Sequence, residues 1–314
     1  MTGQAEEQTG PEVWSGGVGA WECDEMGHMN VRFYVAKATE GLATLAALIG
    51  MPHAFSPYAE ATLLVREQHI RFLREAHPGA GLYMTGGVVE MGETDARFLM
   101  VMRHLDGAPA ATFQTVVSHA TPREGAPFPW PERIRAAAEA LRIPVPAYAA
   151  PRSLPMDPVT LSASLPRADA LGLTRIGLGA IGPQHCDVFG RMQAHQFMAR
   201  ISDGIPRLIG RRPKADEVEG ASGARIGGAA LEYRLVHADW PRAGDRIEMR
   251  SGVSAVDARV RRFTHWLLDP VTGRPWGSAE AIAVNFDLDA RKVVSFSPEA
   301  LAEVQAQVIP GLAL

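Results

Sequence analysis

Two similar twelve-residue segments occur in this chain, CDEMGHMNVRFY at residues 23–34 and CDVFGRMQAHQF at residues 186–197. They are called the repeated phrase below. Six of nineteen positions are identical when residues 23–41 are set beside residues 186–204, whereas chance would supply about one. The match resumes further along at Gly81/Gly244. The chain is therefore interpreted as two copies of one domain, which must fold by the same plan.

A proline-rich stretch separates the two copies. Ten prolines fall within residues 120–173, and proline removes a backbone donor from helix and sheet interiors. We therefore expect a first domain at 12–142, a connector at 143–173 and a second domain at 174–309.

The composition argues against several classes of protein. The net charge is −4 with both signs mixed along the chain, whereas a nucleic-acid surface needs concentrated positive charge. Two cysteines make no disulfide framework. No apolar stretch approaches the roughly 20 residues of a membrane span, and the polar residues 1–11, an expected loose tail, lack the features of a signal peptide. We expect a soluble cytoplasmic protein that binds neither nucleic acid nor membrane.

Each copy is predicted to contain one long helix and a short closing helix. After the first phrase, apolar residues recur every three or four positions, which is the buried stripe of an α-helix. They are Tyr34, Ala38, Leu42, Leu45 and Ile49. The second copy repeats the stripe, but Pro206 interrupts it, so that helix is expected to kink or end nearby. Short helices are predicted near 131–142 and at 297–308.

Strand-like segments follow each long helix. They are rich in Val, Thr, Phe and Met, and they lie at 61–75, 82–91, 96–105 and 110–119, and at about 225–237, 245–256, 259–268 and 276–287. One central helix followed by antiparallel strands predicts an α+β fold for each copy. Because no βαβ alternation appears, the GLGAIG sequence at 177–182 is interpreted as a glycine-rich edge strand and not as a dinucleotide site.

A motif within the first phrase carries a family resemblance. It is D-x-x-G-H-x-N-x-x-x-Y, formed by Asp24, Gly27, His28, Asn30 and Tyr34. This motif resembles the signature of hotdog-fold thioesterases of the 4-hydroxybenzoyl-CoA thioesterase-like superfamily. The resemblance implies a double hotdog, two tandem copies of an antiparallel sheet wrapped around a central helix. In that family two hotdogs normally pair with active sites at their interface, and a fused tandem would form the pair within one chain.

The resemblance also implies an activity and a ligand. The expected activity is thioester hydrolysis, with a small-molecule acyl-CoA as the substrate. No metal or redox cofactor is implied, because coenzyme A enters only as part of the substrate. A homodimer of two such chains stays open, as do the acyl group and its carrier, coenzyme A or acyl-carrier protein.

A carboxylate followed by glycine at a helix start suits this chemistry. Thioester hydrolysis needs a group that attacks the carbonyl or activates water, and donors for the developing oxyanion. Asp24 would be nucleophile or general base, and the backbone N–H groups around Gly27 to Met29 would polarise the thioester oxygen. A helix N-cap is the alternative for Asp24, and a surface position is the alternative to a positioning or acid–base role for His28. The predicted catalytic residues are Asp24, His28 and Asn30, and the predicted substrate-binding residues are Gly27, Met29 and Tyr34.

The second copy departs from the motif. Asp187 and Gly190 are kept, but Arg191 replaces the histidine and Gln193 replaces the asparagine. Arginine stays protonated and is no base, although it can bind a phosphate or carboxylate. Asp187 is a further catalytic candidate, with Gly190 and Arg191 as substrate-binding candidates, and the Asp24 site is predicted to be the main one.

Other assignments are kept as alternatives. Glu40, on the long helix, is a reserve catalytic candidate, against the simpler interpretation of a solvated helix carboxylate. The hotdog fold also hosts acyl-CoA hydratases and dehydratases, whose N-P-x-x-H-like element is not found in this sequence. A non-catalytic acyl-CoA-binding module or regulator is the alternative from a different class of function.

Overall fold

The computed structural model of the protein describes residues 10–209 and 226–314. Nine residues of the expected tail, 1–9, lie outside the described part. The chain divides into two compact units. The first comprises the described residues up to Ala150 together with Val188–Gly190, and the second comprises the others. The division after Ala150 falls inside the predicted connector.

The first unit contains five strands and two α-helices among its described residues. These are β1 (Glu12–Gly17), α1 (Val31–Leu48), β2 (Thr62–Phe72), β3 (Gly81–Met91), β4 (Asp95–His104), β5 (Pro109–Ala120) and α2 (Glu132–Glu139). The strands follow the order β1-β3-β4-β5-β2, and the pairs are antiparallel. The four predicted strands are present with ends shifted by at most three residues.

The second unit repeats this plan. Its elements are α3 (Leu165–Ala170), β6 (Thr174–Ala180), α4 (Ala194–Ile209), β7 (Ile226–His237), β8 (Arg246–Val256), β9 (Val260–Leu268), β10 (Pro275–Asp287), β11 (Lys292–Val294) and α5 (Pro298–Gln305). The strand order is β7-β10-β9-β8-β6, and β11 pairs with β10. An antiparallel sheet with one long helix on its inner face is the hotdog layout, so the α+β prediction is confirmed for both copies.

The long helix of the first unit is held by its predicted apolar stripe. Tyr34, Leu42 and Leu45 are each at most 4% exposed, and α1 packs on β1, β3 and β4. Gly41 lets the helix approach the sheet, because a Cβ at this position would lie 3.1 Å from Met100 Sδ. Any side chain here would require Met100 and Met84 to shift by a few tenths of an ångström.

The glycine-rich sequences lie where the sequence predicts them. GLGAIG overlaps β6, which ends the strand order of its unit, and SGGVGA overlaps β1, which does the same in the first. Neither strand leads into a phosphate-binding helix N-terminus, because a 3₁₀ turn and the repeated phrase follow each of them. The edge-strand interpretation is confirmed.

One element was not predicted, and one prediction is left open. Pro206 lies inside α4, whose described residues extend to Ile209, three residues beyond the proline. Residues 210–225 lie outside the described part of the chain, so the expected kink or end near Pro206 stays a prediction. Helix α3 was not predicted, because it lies within the proline-rich stretch. It begins after the Ser164 cap, with a proline at one of its first two positions, where a missing donor is harmless.

The alignment of the two copies slips by two residues earlier than the sequence match suggests. Gly79 N–H donates to the Val18 carbonyl, and Gly244 N–H donates to the matched Ile181 carbonyl. Gly244 is therefore equivalent to Gly79 and not to Gly81. Both glycines have positive φ, +81° and +98°, which explains why glycine is used at each.

The connector is packed against both units by different segments. Its first part places Ala149 in a cluster with Leu99, Val101 and Ile143. Its last part places Ala163 and Ala168 among the buried neighbours of Trp266. Within the described part of the chain, no helix is long and apolar enough to cross a membrane.

A buried histidine should make the second unit sensitive to acid. His265 in β9 is 0% exposed, its Nδ1 lies 2.8 Å from Ser251 Oγ, and burial lowers its pKa to about 3. In the unfolded chain the pKa of His265 lies near the ordinary value of about 6.5. Between this value and about 3, the histidine is protonated in the unfolded chain and neutral in the folded one. The contribution of His265 to stability is therefore present above about pH 6.5 and is lost as the pH falls toward 3.

The measurement is urea unfolding of the wild type and of His265→Gln at about pH 7 and about pH 5. The variant should be less stable at both values because it disturbs the core. The loss of unfolding free energy between them should be smaller than in the wild type by about 2 kcal/mol. An equal pH dependence in the two proteins would assign the acid sensitivity to other groups.

Candidate active site

The repeated phrase folds into a tight hairpin turn. Asp24 N–H donates to the His28 carbonyl at 3.0 Å, and Gly27 N–H donates to the Asp24 carbonyl at 3.0 Å. Asp24 Oδ1 also accepts the Met26 N–H at 2.9 Å. Gly27 has φ +82°, a conformation that favours glycine. Asp at the first position and Gly at the fourth are the residues that such a turn selects.

The turn is fastened at its base to the start of α1. Asn30 N–H donates to the Glu22 carbonyl at 2.9 Å, and Met29 N–H donates to the Ala76 carbonyl at 2.8 Å. Asn30 is the N-cap of α1, because its Oδ1 accepts the Arg32 N–H at 3.0 Å. Asp24 lies six residues before this cap. The alternative role of Asp24 as the cap is therefore wrong.

Two of the predicted oxyanion donors need a similar correction. The N–H groups of Gly27 and Met29 donate to the carbonyls of Asp24 and Ala76, so they hold the turn in place. For these two groups the prediction failed because it took the helix to begin at the turn, whereas it begins at Val31. The assignment of the His28 N–H, which lies between them, stays a prediction.

The turn brings together two side chains of the predicted catalytic set. His28 Nδ1 lies 3.2 Å from Asp24 Oδ2, and the two side chains are 14% and 15% exposed. The other ring nitrogen, Nε2, lies 3.7 Å from Glu75 Oε1. Glu75 follows β2 in the chain, so the imidazole of His28 lies between two carboxylates from distant parts of the sequence.

A second histidine completes this acid–base cluster of Asp24, His28, Glu75 and His77. His77 Nδ1 lies 2.9 Å from the Gly27 carbonyl oxygen, and its Nε2 lies 3.8 Å from Glu75 Oε2. A carbonyl oxygen only accepts, so Nδ1 of His77 must carry the proton. His77 thereby supports the turn from the side of the β2–β3 loop.

Tyr34 and Met29 are buried supports in the structure. Tyr34 is 4% exposed. Its hydroxyl accepts the Ala76 N–H at 3.2 Å, and its ring meets Phe72 edge to face at 5.2 Å. Burial raises the pKa of Tyr34. Met29 is 2% exposed, and the Tyr34 hydroxyl and the Met29 N–H both bond to Ala76, next to Glu75.

The reserve candidate Glu40 lies on the exposed side of α1. Its Oε2 accepts the indole N–H of Trp14 at 2.7 Å, which ties it to β1. The structure joins Glu40 to Trp14 and gives it no contact with Asp24 or His28.

The two cysteines beside the turns are held as thiols. Burial, with the nearby carboxylates of Asp24 and Glu22, raises the pKa of Cys23. Burial and Asp187 likewise raise the pKa of Cys186. A nucleophilic cysteine needs the opposite shift, so neither thiol is suited to attack a thioester.

The second copy builds the same turn with different chemistry. Gly190 has φ +80°, and Asp187 N–H donates to the Arg191 carbonyl at 2.7 Å. Asp187 Oδ1 accepts the Arg191 N–H at 3.0 Å, and its Oδ2 lies 3.4 Å from Arg191 Nε. Arg191 is 4% exposed. The carboxylate is therefore paired with a cation that cannot act as a base.

The partners of His28 are also replaced in the second copy. Met192 N–H donates to the Pro241 carbonyl at 2.8 Å, as Met29 N–H does to Ala76. Pro241 is thus equivalent to Ala76, which places Trp240 and Arg242 where the first copy has Glu75 and His77. Among the described residues, the equivalent turn of the second copy therefore has no matching acid–base cluster.

Sequence reasoning missed Glu75 and His77. A signal was present in the polar REAHP sequence at 74–78, which follows a strand, because the equivalent DWPRA sequence at 239–243 contains neither the glutamate nor the histidine. Only the fold shows that it meets the turn, through the contact of Met29 with Ala76. Among the described residues, no group of three or more His, Cys, Asp or Glu side chains is arranged to hold a metal ion.

Comparison with known proteins follows the same division into two copies. The model of the thioesterase-like superfamily matches residues 18–138 and again residues 181–304. A comparison with curated protein sequences finds no significant match.

Solved structures share the fold across most of the chain. The 12:0-ACP thioesterase from Umbellularia californica matches with a TM-score of 0.65 and 12% identity, covering 87% of this chain and 93% of that one. An acyl-ACP thioesterase from Bacteroides thetaiotaomicron matches with a TM-score of 0.63 and 9% identity, covering 86% and 96%. With its motif, its repeated α+β layout and two matches to one family model, the chain belongs to the thioesterase-like superfamily as a tandem of two hotdog domains.

Proposed function

We propose that this protein hydrolyses an acyl-CoA to the free acid and coenzyme A at the Asp24 turn. The observation that carries the proposal is the 3.2 Å contact between Asp24 Oδ2 and His28 Nδ1, with both side chains about one-seventh exposed. A carboxylate that orients an imidazole is the arrangement that prepares a general base. Membership of the thioesterase-like superfamily supports hydrolysis as the reaction.

The roles of the two side chains follow from their contacts. Asp24 accepts the Met26 N–H on one oxygen and faces His28 Nδ1 with the other. An ionised carboxylate only accepts, so Nδ1 carries the proton and Nε2 of the neutral ring keeps its lone pair. Nε2 can then take a proton from a water molecule, and Glu75, 3.7 Å away, stabilises the imidazolium that forms.

The proposed reaction has two steps. In the first, water loses a proton to His28 Nε2, and its oxygen bonds to the thioester carbon. The N-terminus of α1, which begins at Val31, favours the developing negative charge through its partial positive charge. In the second, the carbon–sulfur bond breaks and the leaving thiolate takes the proton from His28, so that acid and thiol are released. Direct attack by the Asp24 carboxylate is the alternative first step.

The acyl carrier has a second candidate. Two solved structures that match this chain over at least 86% of its length are named as acyl-ACP thioesterases. This likeness favours acyl-carrier protein as the alternative carrier for the same reaction at the same turn. A non-catalytic acyl-CoA-binding role would need neither Glu75 nor His77 beside the turn.

The test is free-thiol release by the purified full chain. Short, long, branched and aromatic acyl groups are offered on coenzyme A and, in parallel, on acyl-carrier protein. Release of thiol from some acyl-CoA is the expected result. Release from acyl-carrier protein alone would keep the reaction and change the carrier. Binding of acyl-CoA without release from either carrier would overturn the proposal in favour of a binding module.

A further inference from the structure

The geometry points to a buried ion pair, Glu22 with Lys37, as the element that positions the catalytic turn on α1. We infer that both are positioning residues for the reaction at Asp24 and His28, and this inference rests on the proposed function. Neither touches the acid–base cluster. They act through the backbone that carries it.

The ion pair is close and largely removed from water. Lys37 Nζ lies 2.8 Å from Glu22 Oε1, and the two side chains are 10% and 12% exposed. The second carboxylate oxygen, Oε2, accepts the Gly19 N–H at 2.9 Å. A charged lysine is rarely buried unless it is paired, so a specific contact keeps it at this position.

Glu22 is linked to the turn through its backbone. Its carbonyl accepts the Asn30 N–H at 2.9 Å, and it stands two residues before Asp24. Lys37 lies on α1, seven residues after Asn30, which is about two helical turns. The turn is therefore fixed to α1 at two separated points, the Asn30 cap and the ion pair.

The lysine is held in turn by β1. Its Nζ lies 5.2 Å from the ring centroid of Trp14, within the range of a cation–π contact. The indole N–H of Trp14 donates to Glu40 Oε2 at 2.7 Å. Glu40, a reserve catalytic candidate in the sequence, thus orients the tryptophan that covers Lys37.

The second copy lacks this ion pair. His185 takes the place of Glu22, and its Nδ1 accepts the Gly182 N–H at 3.1 Å. Arg200 takes the place of Lys37 and donates to the Ala180 carbonyl at 3.3 Å. The turn itself forms in both copies. The ion pair is therefore not needed to make a turn, and it accompanies the copy that carries Asp24, His28, Glu75 and His77.

Placement of catalytic groups is a steep function of distance, because a displacement of about 1 Å costs on the order of 100-fold in rate. The contacts of Met29 and His77 hold the turn against the β2–β3 loop. The ion pair fixes the 3₁₀ turn Ala20–Glu22, which lies just before Asp24, to α1. Losing it should lower kcat and leave KM almost unchanged, because the ion pair is inferred to act on the placement of Asp24 and His28 and not on the binding of the substrate.

The experiment compares three variants in the thiol-release assay, Glu22→Gln, Lys37→Met and the double variant. Lys37→Met leaves a buried carboxylate without its cation, so both its melting temperature and its kcat should fall. The double variant leaves no lone buried charge and should recover most of the melting temperature. Its kcat should stay lower than that of the wild type by roughly 10–100-fold, with KM within about threefold.

The matched control is Arg200→Met, at the same helix position in the second copy, and its kcat should stay within about twofold of the wild type. A double variant with recovered stability and wild-type kcat would overturn the inference, because the ion pair would then serve the fold alone. A raised KM with unchanged kcat would also overturn it. Absence of activity in the wild type would instead reject the proposed function, so the two failures are distinguishable.

Discussion

Replacing Asp24 by asparagine should lower kcat by about 1,000-fold while the turn stays folded. In the proposed mechanism the carboxylate fixes the His28 tautomer, whereas an amide can present its N–H₂ to Nδ1 and reverse that tautomer. Asparagine still accepts the N–H two residues on, so the contact with Met26 is retained. The measurement is kcat on the best substrate of the thiol-release panel, with circular dichroism and thermal melting to confirm the fold.

The second copy supplies the control for this prediction. Asp187→Asn makes the same chemical change in the same turn, but Asp187 faces the buried Arg191. Its kcat should fall less than about tenfold. Equal losses in the two variants would show that both turns take part in the reaction. Unchanged turnover in Asp24→Asn would remove Asp24 from the mechanism and direct attention to Glu75.

The pattern of hydrophobic residues was sufficient to predict the helices and strands of the fold. The apolar stripe that begins at Tyr34 predicted α1, and strands rich in Val, Thr and Phe were found within three residues of their predicted ends. These signals are local, because burial of one face of a helix or strand sets a period that the sequence shows directly. The α+β fold could therefore be predicted from the sequence alone.

The start of the helix was less well predicted, although its signal was present. Asn30 directly before an apolar-periodic segment is an N-cap signature, and the structure uses it in that way. The prediction instead placed the helix start close to Asp24, because the repeated phrase was taken as the entry to the helix. That error led to the assignment of the Gly27 and Met29 N–H groups as oxyanion donors.

The repeat itself has a structural explanation that the sequence could not show. Asp24 and Gly27 occur in both copies because the hairpin turn requires an acceptor at its first position and a positive φ at its fourth. Repetition therefore identifies what the fold needs. In the proposed mechanism the two copies differ in the base and its second carboxylate partner, His28 against Arg191 and Glu75 against Trp240. The latter pair depends on contacts between distant segments, which no local pattern contains.

Replacing His28 by arginine, the equivalent residue of the second copy, tests directly whether His28 serves the reaction or only the turn. In His28→Arg the turn should form normally, because Arg191 occupies the same position with its N–H 3.0 Å from Asp187 Oδ1. The guanidinium would pair with Asp24 and Glu75 and would stay protonated. With no base left, kcat should fall by about 10²–10⁴-fold, measured on the substrate used for Asp24→Asn.

The reciprocal exchange, Arg191→His, tests whether an imidazole beside an aspartate is enough to act as the base. Arg191→His places an imidazole beside Asp187, but Trp240 and Arg242 stand where the first copy has Glu75 and His77. Combined with His28→Arg, it should therefore restore no turnover. Recovery of activity in that double exchange would show that a carboxylate and an imidazole suffice in either turn. If His28→Arg alone kept more than about a tenth of the wild-type kcat, the imidazole would not be the base, and Asp24 would have to act on water or on the thioester carbon directly.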